Sequence, residues 1–282
     1  APQGGAVLLG AARRYDPTLM TSIDSPKVAI VTGAARGIGL ASARWFIARG
    51  WRVALIDRDA PTLDAAQAQL AQAWPGASVA VHCDVSDPAQ VKAMVAQLET
   101  TWGRIDALVN NAGVAVFKPI GETSFHEWRH VMATNLDGAF LMTQAAVPAM
   151  LERGSGAIVN IASISGLRAS TLRVAYGTSK AALIHLTRQQ AVEYGNAGIR
   201  VNAIAPGPVE TEMAKKVHTP AIRADYHDTI PLARYGSLEE IANAVGFLCS
   251  PQAGYVNGQV LAVDGGFDAA GVGLPTLRRP SV

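Results

Sequence analysis

Short, almost wholly apolar runs alternate with longer helical stretches along this chain, and that alternation constrains the fold more than any other feature. Seven runs have the length and character of buried strands: residues 27–32, 51–57, 78–83, 105–110, 157–161, 200–205 and 258–263. Helical patterns lie between these runs at residues 37–49, 61–74 and 125–151. Two further helical patterns begin at Pro88 and at Ser237, and another follows the fifth run and ends at about residue 196. Strands that are apolar throughout are typical of a parallel sheet covered by helices on both faces. Repeated strand–helix units therefore predict an α/β fold with a doubly wound parallel sheet and right-handed crossovers.

The domain organisation follows from where this alternation starts and stops. It predicts one Rossmann-like domain over residues 27–268 with about seven strands and no interdomain linker. Residues 1–26 are expected to be a flexible N-terminal extension and residues 269–282 a C-terminal tail. The segment 207–235 interrupts the alternation before the last helix, and we expect it to be a mobile lid over a substrate.

Composition excludes several classes of function. The net charge is +2 without a run of Lys and Arg, so we expect no nucleic-acid partner. No apolar stretch reaches membrane-spanning length, so we expect no membrane partner. Cys83 and Cys249 lack metal-ligand spacing and lie in apolar runs. They are expected to be free buried thiols in a reducing compartment, which favours a cytoplasmic location.

A glycine-rich turn joins the first strand to the first helix. The sequence TGAARGIG, residues 32–39, carries Gly33, Gly37 and Gly39 in a G-x-x-x-G-x-G spacing. Glycines allow the backbone to approach a pyrophosphate closely, and a helix amino end supplies N–H groups and a positive dipole. Taken alone the motif is weak and could be an ordinary turn. Its position directly after a strand, with Asp57 ending the next strand, predicts a dinucleotide site.

Three charged side chains bear on the choice between NAD and NADP. Asp57 can accept hydrogen bonds from ribose hydroxyls and repels a 2′-phosphate, whereas Arg36 and Arg58 could attract that phosphate. Charges of like sign about 4 Å apart repel by roughly 4 kcal/mol at an effective dielectric near 20. An exposed arginine contact typically returns only about 0–1 kcal/mol. We therefore expect NAD to be favoured over NADP.

An acid–base group is predicted after the fifth strand. Ser163 lies at the strand end, and Tyr176 and Lys180 stand four residues apart on the following helix, so they share one helix face. An ammonium near a phenol favours the phenolate, and a serine hydroxyl can hold a substrate oxygen. Such a group at the carboxyl end of a strand suits interconversion of alcohols and carbonyl compounds.

Together these motifs resemble the short-chain dehydrogenase/reductase family over residues 27–267. The resemblance includes TGAARGIG, Asp84-Val85, Asn110-Asn111-Ala112-Gly113, Asn135, Ser163 with Tyr176-x-x-x-Lys180, and Pro206-Gly207. It implies that Tyr176 is the general acid/base and that Lys180 lowers its pKa and binds the nicotinamide ribose. Ser163 would orient the substrate oxygen, and Asn135 would support a proton relay. The family commonly forms homotetramers, which implies contacts through the helices after the fourth and fifth strands.

The resemblance also implies contacts to the cofactor along the whole cleft. Asp84 and Val85 would lie beside the adenine, Ile161 near the nicotinamide, and Val209 and Thr211 near its carboxamide. The full expected cofactor set is Gly33, Arg36, Gly37, Ile38, Gly39, Asp57, Arg58, Asp84, Val85, Asn111, Ala112, Gly113, Ile161, Tyr176, Lys180, Pro206, Gly207, Val209 and Thr211. No metal is expected.

A second motif points to a different class of enzyme. His126-Glu127-x-x-His130 matches H-E-x-x-H, the zinc-protease signature. Ser124 and Glu127 also fit a capping box at a helix start, and a catalytic zinc requires a third protein ligand that no spacing marks. Zinc is therefore the remote alternative. A second alternative is a regulator that senses the cofactor without catalysing a reaction. The presence of all three residues Ser163, Tyr176 and Lys180 argues against it.

The substrate is predicted only by class. Residues 114–119, 166–174 and 210–235 should surround it, and Arg168 and Arg173 lie between the serine and the tyrosine. Those arginines either face a polar substrate or form salt bridges in a loop or subunit contact. We expect a small-molecule secondary alcohol or ketone that is polar: a polyol, a sugar or a hydroxy acid. The alternative is an NADPH-dependent 3-oxoacyl thioester (acyl-carrier-protein) reductase.

Overall fold

The computed structural model describes residues 25–271. The predictions for an N-terminal extension and a C-terminal tail lie outside this range, apart from a few residues at each border. No helix within it combines the length and the apolar character that a bilayer crossing requires.

Seven strands and ten α-helices make up the described chain, with several short 3₁₀ turns. The strands are β1 (Val28–Thr32), β2 (Arg52–Asp57), β3 (Ser78–His82), β4 (Ala107–Asn110), β5 (Gly156–Ile161), β6 (Ile199–Pro206) and β7 (Val260–Val263). The helices are α1 (Gly37–Ile47), α2 (Ala60–Ala73), α3 (Pro88–Trp102), α4 (Phe125–Met132), α5 (Gly138–Arg153), α6 (Ile164–Leu167), α7 (Val174–Tyr194), α8 (Glu212–Val217), α9 (Pro220–Thr229) and α10 (Leu238–Cys249).

The strands form one parallel sheet in the order β3-β2-β1-β4-β5-β6-β7. The chain reverses its winding direction between β1 and β4, so the loops after these strands diverge and leave a crevice at their carboxyl ends. The predicted fold class is confirmed, and strand borders differ from the prediction by two residues at most. The site must lie where the carboxyl ends of the strands meet.

Apolar side chains on both faces of the sheet hold the layers together. Phe46 of α1 and Leu248 of α10 belong to the core on one face, and Met94 of α3 and Met142 of α5 to the core on the other. Burying one such side chain contributes about 1.5–3 kcal/mol. β1, β4 and β5 are buried along their whole length because they lie between the two cores.

The helix expected over residues 125–151 is present from Phe125 to Arg153, but it contains a π-helical turn that the sequence did not predict. A π-helical turn at Ala133–Asp137 separates α4 from α5. A π turn accommodates one extra residue, which rotates the side chains that follow it. Apolar spacing cannot reveal that single-residue shift. The turn contains Asn135, whose buried side chain lies directly behind the lining of the site described below.

The segment between β6 and α10 contains the two short helices α8 and α9. Its base is closed by a bridge between Val209 and Gly236. The Arg223 guanidinium donates two hydrogen bonds to the Glu210 carboxylate, at 2.7 and 2.8 Å, and ties α9 to that base. The segment thus has its own internal contacts and lies over the strand ends.

Candidate active site

A cleft of about 570 Å³ opens at the carboxyl ends of the strands. The turn after β1, the ends of β2 to β6 and the segment with α8 and α9 all contribute to its lining. Ser163 and all but one of the expected cofactor residues line it: Gly33, Arg36, Gly37, Ile38, Asp57, Arg58, Asp84, Val85, Asn111, Ala112, Gly113, Ile161, Tyr176, Lys180, Pro206, Gly207, Val209 and Thr211. Gly39 and Asn135 lie behind this lining.

The glycine turn has the shape and polarity of an anion cradle. Gly33 and Gly37 adopt φ values of +62° and +59°, which favour glycine. A Cβ on Gly39 would lie 2.2 Å from the Gly33 carbonyl oxygen, so Gly39 serves the close approach of α1 to the turn. No side chain among residues 25–271 caps the amino end of α1, and its first turn contains no acid. Its free N–H groups fit the pyrophosphate of a dinucleotide.

Two further contacts hold this turn in place. The Asn111 side-chain amide donates to the carbonyl oxygens of Thr32 and Gly33, at 2.9 and 3.0 Å. The Thr32 hydroxyl accepts hydrogen bonds from the backbone N–H groups of Asn111 and Ala112, both at 3.0 Å. Hydrogen bonds within the protein therefore hold the glycine turn in a shape that fits the expected cofactor.

Asp57 ends β2 with its carboxylate held by the backbone. Its two oxygens accept hydrogen bonds from the N–H groups of Ala35, at 3.1 Å, and Asp59, at 3.0 Å. A carboxylate oxygen has room for a second donor, so ribose hydroxyls can still bind it.

Both arginines near Asp57 have carboxylate partners. Arg36 contacts Asp59 and donates to the Thr62 hydroxyl at 3.2 Å, and Arg58 lies 3.8 Å from Asp84. Counted with Asp57, this end of the cleft holds three carboxylates and two guanidinium groups, a formal charge of −1. Sequence reasoning missed the roles of Asp59 and Thr62, although Asp59 stands one residue before α2, where a capping residue is expected.

Ser163, Tyr176 and Lys180 come together as predicted. Ser163 precedes α6 and hydrogen bonds with the Tyr176 phenol. Lys180 is buried, its ammonium donates to the Ile161 carbonyl oxygen at 2.7 Å, and it lies 5.8 Å from the centre of the Tyr176 ring. Hydroxyl, phenol and ammonium therefore face one point beside β5.

The pKa values of the phenol and the ammonium are set by burial. Burial raises the pKa of Tyr176, while the Ser163 hydrogen bond and the Arg173 charge oppose that rise. Burial lowers the pKa of Lys180 from 10.5 to about 8. The phenol thus holds its proton in this structure. A lowering of the Tyr176 pKa toward neutrality stays a prediction, and it requires additional positive charge near the phenol.

Comparison with known proteins identifies the family. A family model described as enoyl-(acyl carrier protein) reductase matches residues 33–268. The chain is 42% identical to 2-(R)-hydroxypropyl-CoM dehydrogenase of Xanthobacter autotrophicus over 86% of this chain and 99% of that protein. It is 45% identical to galactitol 2-dehydrogenase (L-tagatose-forming) of Cereibacter sphaeroides, over 85% and 94%. The chain belongs to the short-chain dehydrogenase/reductase family.

Two more relatives widen the comparison for this short-chain dehydrogenase/reductase. A 3-oxoacyl-(acyl-carrier-protein) reductase of Thermotoga maritima is 38% identical over 85% of this chain and 97% of that protein. A gluconate 5-dehydrogenase of Burkholderia cenocepacia, solved with NADP and tartrate, superposes with a TM-score of 0.82 at 34% identity, over 86% of this chain and 96% of that one. The protein is thus an oxidoreductase that acts on CH–OH groups with a nicotinamide cofactor and interconverts secondary alcohols and ketones.

Asn135 occupies a bracing position in this dehydrogenase/reductase. Its amide oxygen accepts from the Val114 N–H at 2.8 Å, and its amide nitrogen donates to the Val114 carbonyl oxygen at 2.9 Å and to the Ser179 hydroxyl at 3.0 Å. The side chain therefore joins the loop after β4 to helix α7. The proton relay implied by resemblance stays a prediction, because the Asn135 side chain does not line the cleft.

Sequence reasoning missed one neighbour of Asn135. Thr134 lines the cleft, is 6% exposed, and its hydroxyl has no hydrogen-bond partner among the described residues. Thr134 and Asn135 are the buried residues of the π turn, and no sequence pattern marks that turn.

The H-E-x-x-H motif lies at the start of α4, where the capping box is confirmed. The Ser124 hydroxyl accepts from the Glu127 N–H at 3.2 Å, and the Glu127 carboxylate accepts from the Ser124 N–H at 2.9 Å. Lys118 also contacts this carboxylate, and the side chains of His126 and His130 are exposed. Within residues 25–271 no three His, Cys, Asp or Glu side chains are grouped to hold a metal. The motif is accounted for by capping.

Proposed function

We propose that this enzyme uses Tyr176 as general acid/base on a polar secondary alcohol or ketone. The observation that carries the proposal is the convergence of the Ser163 hydroxyl, the Tyr176 phenol and the Lys180 ammonium beside a cleft with an uncapped helix amino end. During oxidation, Ser163 would hold the substrate oxygen while the Tyr176 phenolate takes the hydroxyl proton. Lys180 would favour the phenolate and bind the nicotinamide ribose. The bound cofactor supplies hydride transfer and the positive charge of its oxidised ring.

A polar substrate is supported by the lining of the cleft near Tyr176. Arg173, His218, Tyr226 and Glu212 contribute polar groups there. The related proteins named for galactitol and gluconate act on hydroxyl-rich molecules. The second candidate is a 3-oxoacyl thioester reductase, which the Thermotoga maritima relative favours.

A substrate panel separates these candidates. Purified protein would be offered polyols, sugars and hydroxy acids with NAD and NADP, and 3-oxoacyl thioesters with NADH and NADPH, while absorbance at the nicotinamide band is followed. We expect turnover of hydroxyl-rich secondary alcohols. Turnover confined to 3-oxoacyl thioesters would instead favour the second candidate, and no turnover in either set would contradict the proposal.

NAD is proposed as the favoured cofactor because the adenosine end of the cleft has a formal charge of −1 and both its arginines are paired. We expect calorimetric titration to show at least about tenfold tighter binding of NADH than of NADPH. Asp57→Ser should remove most of that difference, because it removes the carboxylate that repels a 2′-phosphate. Asp64→Ser, an exposed site on α2, is the matched control. Tighter NADPH binding by the unmodified protein would refute the preference.

A cytoplasmic homotetramer completes the proposal. Exposed apolar side chains on α5 and α7, Phe140 and Val192, support contacts between copies. Cys83 and Cys249 are free and buried, in accord with a reducing compartment. Light scattering that gave the mass of a monomer would contradict the tetramer.

A further inference from the structure

Three arginines line the cleft, and they differ in their partners. Arg36 and Arg58 each lie within 4.0 Å of a carboxylate at the adenosine end. Arg173 lies near Tyr176, and no carboxylate among the described residues pairs with it. Its neighbour in sequence with the same charge, Arg168, is instead paired with Asp268 at 2.7 Å. The part of the cleft beside Tyr176 thus contains a guanidinium group that no carboxylate of residues 25–271 neutralises.

The position of Arg173 is fixed by its surroundings. Leu172, the preceding residue, adopts a φ of 60°, a left-handed conformation that costs a non-glycine residue about 1–2 kcal/mol. The Leu172 carbonyl oxygen accepts a hydrogen bond from the Lys118 N–H at 3.1 Å, which holds that conformation. The Arg173 guanidinium then lies 5.1 Å from the centre of the Phe117 ring, which also lines the cleft. Arg173 is half-buried and lines the cleft, so the guanidinium lies against Phe117 in the cleft wall.

The charge of Arg173 acts on the groups around it. It opposes the burial that raises the pKa of Tyr176, and it adds to the burial that lowers the pKa of His218. Glu212 also lines this part of the cleft, but its carboxylate is paired with Lys215 at 3.0 Å. An incoming anion would therefore meet a net positive charge beside the catalytic phenol.

We infer that the substrate carries a carboxylate and that Arg173 is the residue that binds it. The inference rests on the proposed function and narrows its substrate class from polar alcohols to secondary hydroxy acids and the corresponding keto acids. A guanidinium binds a carboxylate through two parallel N–H···O bonds, which fixes the orientation of the acid as well as its charge. Arg173 directly precedes α7, Tyr176 lies in the first turn of that helix, and both side chains line the cleft. The carboxylate and the reacting carbon should accordingly be separated by only a few bonds.

Matched pairs of hydroxy acid and primary amide test this inference. Each amide has nearly the shape of its acid but no charge; suitable pairs are 3-hydroxybutanoate with 3-hydroxybutanamide and gluconate with gluconamide. The full chain is assayed with NAD on both pairs. For a pair whose acid is oxidised, we expect kcat/KM to be about 10- to 100-fold higher for the acid than for its amide. In Arg173→Gln the ratio of kcat/KM for the acid to kcat/KM for the amide should fall to near 1, mainly through a higher KM for the acid. Any change in the pKa of Tyr176 acts on the acid and the amide alike and cancels in that ratio. Arg188→Gln, an exposed arginine on α7, is the control.

The possible results distinguish this inference from the proposed function. Oxidation of neutral secondary alcohols without any preference for acids would overturn the inference and leave the proposed function standing. No oxidation of any alcohol would overturn both. An undiminished acid preference in Arg173→Gln, or a loss of NADH affinity in that variant, would place the guanidinium elsewhere and overturn the inference. Arg173→Lys, which keeps the charge without the two-pronged geometry, should show an intermediate preference and serves if the Gln variant does not fold.

Discussion

Replacing Tyr176 with phenylalanine is expected to lower kcat by about 10²- to 10⁴-fold while leaving NADH binding nearly unchanged. The phenol is the group that would exchange a proton with the substrate oxygen, and a positioned acid or base contributes rate enhancement of that size. Phenylalanine keeps the ring, so the packing beside Ser163 and Lys180 is retained. Steady-state kinetics with the best substrate of the panel, together with calorimetric titration of NADH, would measure the two effects.

Tyr255→Phe is the matched control for this experiment, because Tyr255 is fully exposed. It should leave kcat and NADH binding as they are. Full activity in Tyr176→Phe would end the assignment of Tyr176 as the acid/base. A parallel loss of NADH binding would show that the phenol mainly serves the cofactor.

Lys180→Met should lower activity and raise stability together. The variant removes the ammonium that favours the phenolate, and loss of one such electrostatic group costs about 10²- to 10³-fold in kcat. Lys180 is buried, and one hydrogen bond, to the Ile161 carbonyl oxygen, is its resolved polar contact. Methionine fills a similar volume without a charge. At pH 7 the variant should therefore be more stable by about 1–3 kcal/mol, a range bounded by the lowering of the Lys180 pKa from 10.5 to about 8.

The pH dependence of that difference follows from linkage. Below about pH 8 Lys180 is charged in both the folded and the unfolded chain, so the full cost of burying the charge is present. Between about 8 and 10.5 the folded chain has released this proton while the unfolded chain still binds it, so the wild-type protein gains stability relative to the variant. Urea denaturation of both proteins at a series of pH values measures the difference. Burial raises the pKa values of the Cys83 and Cys249 thiols, but both proteins contain these thiols, so their effect on stability cancels in the difference.

Lys92→Met, exposed on α3, is the control and should show no such pH-dependent difference. If Lys180→Met had a lower free energy of unfolding than wild type at pH 7, the charged ammonium would stabilise the folded protein, which would contradict the prediction. The expected pair of outcomes would show that the catalytic group is kept at the expense of stability, as is common for functional sites.

The sequence by itself determined the sheet, the glycine turn and the placement of Tyr176 and Lys180 on one helix face. Strand and helix periods are local properties, and they placed all seven strands and the order of the motifs. Tyr176 and Lys180 share a helix face because they are four residues apart, and Asp57 reaches the cleft because it ends a strand beside the crevice. These relations depend only on regular backbone geometry, so short stretches of sequence suffice to predict them.

Tertiary structure alone decided which partners the charged side chains have and that the Asn135 side chain is buried against Val114. Arg168 and Arg173 lie in one loop, yet Arg168 pairs with Asp268, a hundred residues away along the chain, and Arg173 lines the cleft beside Phe117. The π turn at Ala133–Asp137 shifts the register of one helix by a residue and brings Asn135 to Val114. Partner choice between distant residues, and a one-residue change of register, arise from packing across elements. The local sequence pattern predicts neither the ion-pair partners nor the π turn, because both depend on which surfaces of distant elements pack against each other.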